Sequence, residues 1–209
     1  VNGTGILSTN GIRAEAFRGR VSAVVLGVSA GGVEALSFLL PLLPRTFRPA
    51  LLIVLHIPPE RPSLLVDIFA PRCALPVREA QDKEPVKPGT VYFAPPDYHL
   101  MVDTGPTLSL SVDEPVHYSR PSIDVLFESA AYIYGARLAA VILTGANEDG
   151  ARGLAAVRAA GGVTLVQSPE TAHMPVMPAA ALAQGPVDFV LPLAQLAQVL
   201  GELGADAKA

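Results

Sequence analysis

Three polar residues stand where long apolar runs stop: Ser29 after AVVLGV, His56 after ALLIVL, and Asp149 a few residues past LAAVIL. A hydroxyl, an imidazole and a carboxylate are the minimum set for covalent acyl transfer: a nucleophile, a proton acceptor and a group that orients it. Ser29 lies in Gly27-Val28-Ser29-Ala30-Gly31-Gly32, where small neighbours let the backbone turn sharply and leave the hydroxyl at the mouth of the turn. The helix expected from Gly32 begins with N–H groups that have no acceptor inside the helix, and these can meet an anion. A purely structural or phosphate-cradling turn has the same composition, so Ser29 carries chemistry only if a base and a carboxylate reach it.

The surrounding elements decide that. Short β-branched apolar runs at Val24–Leu26, Ala50–His56 and Leu138–Leu143 read as strands buried on both faces. Helical segments separate them, which predicts parallel pairing and puts all their carboxyl ends on one sheet edge. Further strands are expected at 162–167 and 189–191, and helices at 61–69, 120–135, 151–160, 178–183 and 193–200. Pro41 and Pro44 bound the helix that follows Ser29. Between Leu75 and Val112 the short pieces Leu75–Glu79, Thr90–Ala94, His99–Val102 and Leu108–Leu110 are separated by Pro, Gly and Asp and read as antiparallel hairpins. The expected fold is α/β: three layers, a doubly wound and mostly parallel sheet, and an antiparallel hairpin.

Other candidates have simpler readings. Asp149, like Glu148, could cap the helix that follows it. His56 could end its strand on a carbonyl. His173 is the rival base, on a longer loop, while His99 and His117 read as surface or turn residues. Cys73 reads as a buried or idle thiol. Arg120 reads as a solvated charge or as an attractor of an acidic protein surface, and Asp124 as a complement to a helix dipole. The four histidines are scattered and the one cysteine has no partner at metal-ligand spacing, so no metal site is expected.

The 209 residues are half hydrophobic and 16% charged, with a formal net charge of -4 and a mean hydropathy of +0.41. Such a chain can fill a sizeable core, and without a basic run it is a poor partner for nucleic acid. Its apolar runs are too short to cross a bilayer, and it shows neither a secretory leader nor a cysteine pair; a cytoplasmic setting is expected. Residues 1–20 read as a loosely held arm or linker, 21–203 as one domain and 204–209 as a frayed tail.

Taken together, LGVSAGGVEAL, VLHIPP, PGTVYFAPPDYHL, RPSIDVLFESAA and VILTGANEDGARGL resemble the catalytic domain of the CheB-type chemotaxis protein-glutamate methylesterases, from Val21 to Leu200. The resemblance implies a Ser29/His56/Asp149 triad working without a cofactor. It also implies hydrolysis of glutamate γ-methyl esters, with deamidation of glutamines, on the cytoplasmic helices of methylated chemoreceptors. It places oxyanion-binding N–H groups at Ala30 and Ala146, and Arg120 is the candidate for holding substrate. Three positions depart from the family pattern: Ala30 stands where Thr is frequent, and Ala146 and Ile57 where Met is frequent. No receiver domain precedes Val21, so the family's phosphorylation switch is not expected within these residues. The competing expectations are a small-ester hydrolase and a non-catalytic anion- or protein-binding module.

Overall fold

The computed structural model describes residues 17–57 and 63–205. The expected arm up to residue 16, the start of the 61–69 helix and the last four residues of the tail lie outside the described residues.

Among the described residues there are nine strands and six α-helices. β1 (Ala23–Val28), β2 (Ala50–Leu55), β7 (Leu138–Ile142) and β8 (Val163–Gln167) are buried along their whole length. They join β3 (Val77–Glu79), β4 (Val91–Phe93) and β9 (Phe189–Leu191) in a seven-stranded sheet, in the order β3-β4-β2-β1-β7-β8-β9. Every pair in it is parallel. β5 (His99–Asp103) and β6 (Thr107–Ser111) form a separate antiparallel hairpin.

Alternation along the strands divides the core in two. Val24, Leu26, Leu51, Ile53 and Val141 face a layer containing α1 (Gly32–Leu39), α2 (Leu65–Phe69) and α6 (Leu193–Leu203). Val25, Leu52, Val54, Ala140 and Ile142 face α3 (Ile123–Tyr134), α4 (Ala151–Ala159) and α5 (Val176–Ala183). Fully apolar strands are what a sheet covered on both faces requires. Among the described residues no helix is long and apolar enough to span a membrane.

One expectation needs correction. Leu75–Glu79 and Thr90–Ala94 do not form hairpins; their cores are β3 and β4, paired parallel to one another, with β4 in turn parallel to β2. The eleven-residue connection from Glu79 to Val91 crosses over without a helix, using local ties such as Gln81 N–H to Glu84 Oε1 and Lys87 N–H to the Tyr92 hydroxyl. Three-residue strands between turn residues carry too little periodicity to reveal their direction. Only 99–111 is the hairpin expected.

Register then sets the edge. β1 and β2 pair through Val28 and Leu55, so Ser29 and His56 are the next residues on adjacent strands, and His56 N–H still bonds Val28 O at 3.1 Å. On the other side of β1, Leu143 N–H bonds Gly27 O and Ser29 N–H bonds Thr144 O. The chain winds one way from β1 to β2 and the other way through β7, and the crevice at such a reversal is where open α/β sheets bind ligands.

Candidate active site

Ser29 Oγ lies 3.2 Å from His56 Nδ1, and His56 Nε2 lies 2.9 Å from Asp149 Oδ2. The ring thus faces the hydroxyl with Nδ1 and the carboxylate with Nε2, the reverse of the arrangement familiar from chymotrypsin-like proteases. With Nε2–H donating to Asp149, Nδ1 is left with a lone pair directed at Ser29. All three sequence-predicted residues are brought together.

Asp149 is fully buried and its carboxylate is saturated. Oδ2 also accepts Ile123 N–H at 2.7 Å, while Oδ1 accepts the Ser122 hydroxyl at 2.8 Å and Asp124 N–H at 3.0 Å. Asp149 therefore serves the start of α3, and not its own helix α4 as the capping alternative supposed. Burial pushes its pKa up, but the hydrogen bonds from His56 and from the Asp124 and Ile123 amides prevail and hold it below the ordinary carboxylate value. It remains an acceptor at neutral pH.

The close approach of α3 depends on two glycines. A Cβ on Gly27 would lie 2.3 Å from Ile123 Cγ2, and one on Gly150 2.6 Å from the same atom. Gly150 also has φ +95°, a conformation that side chains resist. Ile123 fits between them, which delivers its N–H to Asp149.

Ala30 and Ala146 are exposed beside one another's turns, and among the described residues neither N–H has an acceptor. Thr144, buried, stitches the two turns together: its carbonyl accepts Ser29 N–H at 2.9 Å and its hydroxyl donates to Ala30 O at 2.8 Å. Its own N–H is held by Gln167 Oε1 at 3.0 Å. Two free amides near the nucleophile can receive a developing oxyanion.

Arg120 lines a cleft of about 390 Å³ with His56, Ile57, Asp97, Tyr118 and Pro121. Its guanidinium is already engaged: Nε and Nη2 donate to Asp97 Oδ1 at 3.0 and 2.6 Å, and Nη1 donates to Val112 O at 2.8 Å and Asp113 O at 3.1 Å. This ties the hairpin to the segment before α3. The rival His173 is exposed and packs against Gly31, with its Cβ 2.7 Å from where a glycine substituent would stand.

His99, expected at the surface or in a turn, is instead 1% exposed. Its Nδ1 accepts Ser122 N–H at 3.1 Å and its Nε2 lies 3.2 Å from Glu114 O. The Cys73 thiol is partly buried, and burial pushes its pKa up, which suits an idle thiol. Ser122, Asp124, His99, Thr144 and Gln167 support the site without having been singled out for it. Their partners are far away in sequence and no local pattern signals them.

Fold and site define an α/β protein with a serine–histidine–aspartate relay at a sheet edge, the constellation of serine hydrolases. The model of the CheB methylesterase family matches residues 24–200, and the chain belongs to that family. A Leptospira interrogans protein provisionally named protein-glutamate methylesterase/protein-glutamine glutaminase is 45% identical over 177 residues, covering 85% of this chain and 92% of its own. A Symbiobacterium thermophilum protein of that name is 38% identical, and the match spans 85% of this chain but 49% of the relative. The Thermotoga maritima CheB methylesterase catalytic domain superposes with a TM-score of 0.81 at 34% identity, covering 88% of this chain and 98% of that one.

Proposed function

We propose that this chain is a serine hydrolase that demethylates glutamate γ-methyl esters on the cytoplasmic helices of chemoreceptors, and that it deamidates glutamines at the same site. The observation that carries the reading is the unbroken contact from Ser29 Oγ through both ring nitrogens of His56 to a buried carboxylate. A simple anion-binding turn has no need of such a relay.

His56 Nδ1 takes the Ser29 proton as Oγ attacks the ester carbonyl. Asp149 holds the imidazole with Nε2–H toward itself and balances the imidazolium as it forms. The oxyanion is met by the Ala30 and Ala146 amides; one such donor is commonly worth about 3 kcal/mol of transition-state stabilisation. Both donor groups are backbone N–H, so alanine suffices at two positions where the family often has larger side chains. The imidazolium returns its proton to the departing methoxide, methanol leaves, and water activated by His56 releases the glutamate. With glutamine the leaving group is ammonia. No metal or organic cofactor enters any step, and a cytoplasmic location follows from that of the proposed substrate.

The test is methanol release from a methylated receptor fragment and from a short synthetic ester, with wild type and Ser29→Ala. Turnover of the receptor, with loss of at least about 10³-fold in Ser29→Ala, is expected from removal of the nucleophile. Full activity in Ser29→Ala removes the mechanism; turnover of the short ester alone redirects it to a small-ester hydrolase.

A further inference from the structure

Among the described residues the hydroxyl of Ser122 is the one side-chain donor besides His56 on the Asp149 carboxylate, at 2.8 Å, and Ser122 is fully buried. Its donor hydrogen has no competing use in the proposed reaction. Its backbone is itself fastened: Ser122 N–H donates to His99 Nδ1, which requires that His99 carry its proton on Nε2, facing Glu114 O. His99 opens β5, where it pairs with Ser111 of β6. Two residues before Ser122, Arg120 grips Asp97, Val112 and Asp113, which flank that same hairpin on both sides. The hairpin is outside the main sheet, yet it holds the 120–122 segment at two points.

Resting on the catalytic reading of Asp149 above, we propose that Ser122 is a positioning residue for the acid of the triad, and that the β5–β6 hairpin, through His99, is the brace that sets it. The contact runs from Glu114 O through His99 to Ser122, then Asp149, His56 and Ser29. The Ser122 hydroxyl adds to the Ile123 and Asp124 amides a third restraint on the Asp149 carboxylate; to the extent that this restraint resists reorientation as His56 becomes charged, its energy enters the rate of the chemical step. Ser122 does not touch substrate, and its loss acts on kcat and leaves KM nearly unchanged.

Ser122→Ala is expected to lower kcat about tenfold, as removal of one hydrogen bond to a charged group implies, with KM within about twofold. It also moves the low-field proton NMR signal of the His56 Nε2–H, a readout that needs no turnover and that a merely structural serine would leave in place. Ser122→Thr restores both quantities by returning a hydroxyl. Ser122→Cys keeps a small side chain of the same branching, slightly larger, but offers only a weak donor, and it retains the defect even where the alanine variant folds poorly. His99→Phe reproduces part of the kcat loss in wild type and adds little on Ser122→Ala. Wild-type kcat and an unmoved signal in both Ser122→Ala and Ser122→Cys overturn the proposal; additive losses in the double variant remove His99 from it. Because the NMR arm is independent of turnover, it separates a failed brace from a failed nucleophile, which Ser29→Ala reports.

Discussion

Two carboxylates sit where α3 crosses α4, both fully buried, and they are treated in opposite ways. Asp149, from the loop before α4, accepts two amides and a hydroxyl at the start of α3, besides the His56 imidazole. Asp124, in the first turn of α3, returns the favour with one oxygen only: Oδ1 accepts Gly153 N–H of α4 at 2.7 Å. Its Oδ2 is buried and has no hydrogen-bond partner among the described residues. Two basic side chains face that oxygen beyond hydrogen-bond reach: His117 Nε2 at 3.5 Å and Arg152 Nε at 3.8 Å. The two helix starts thus exchange acids, and only one acid is fully solvated by the protein.

The pKa directions follow. Asp149 is held below its ordinary value by its hydrogen bonds, despite burial. Asp124 is pushed above it, chiefly by burial, which the Gly153 amide only partly offsets; the Asp149 and Glu128 charges add to the rise and Arg152 opposes it. An acid that must stay charged beside an imidazole is surrounded by donors; an acid that ties two helices together can be left half-satisfied. This contrast is a better guide to the site than burial, which is the same for both.

The largest test of the contrast is Asp149→Asn. An amide in place of the carboxylate cannot balance an imidazolium and presents a donor where Ile123, Asp124 or Ser122 already donates. A kcat loss of about 10³- to 10⁴-fold is expected, by analogy with triads in general, with a much smaller change in KM. A change confined to KM would falsify the orienting role. Gly150→Ala comes next. The methyl group must displace Ile123 and the residue must hold φ +95°, so stability should fall by about 2 kcal/mol or more in urea unfolding, with activity falling as the Ile123 amide leaves Asp149.

Asp124→Asn should have a small effect of variable sign. Its amide oxygen can keep the Gly153 bond, and the orphan oxygen is replaced by a donor facing His117. Because the native-state pKa of Asp124 is raised, its contribution to stability is full below the unfolded-state value and is lost as pH rises through the folded-state value. The variant should therefore gain on wild type as pH increases from about 4. Asp149 behaves in the opposite sense: its contribution is present above its unfolded-state pKa and is lost as pH falls through the lowered folded-state value. Unfolding titrations of wild type and both variants across acid and neutral pH would show parallel curves if the two acids were equivalent.

The apolar strands explain why so much of this site could be read in advance. Burial on both faces makes β1, β2 and β7 wholly apolar runs of five or six residues, so their ends, and hence Ser29, His56 and the loop to Asp149, stand out. β3 and β4 are three residues long and gave no direction. Asp124 is in the first turn of its helix as expected, but its side chain serves another helix 29 residues away. His99 is buried because of Ser122 and Glu114, contacts that separations of 23 and 15 residues conceal. Local pattern reveals where a strand stops; which polar groups then close the shell is a matter of tertiary packing.

Since Ser29 and His56 directly follow a matched pair on neighbouring strands, their lateral separation is inherited from the backbone ladder, a spacing of about 4.8 Å that every β-sheet shares. The nucleophile and its base are consequently gauged by one of the most invariant dimensions in protein architecture, set by backbone and not by the side chains around them. Only the acid, arriving from a loop, has to be adjusted by hand, and that is where the molecule concentrates its polar hardware.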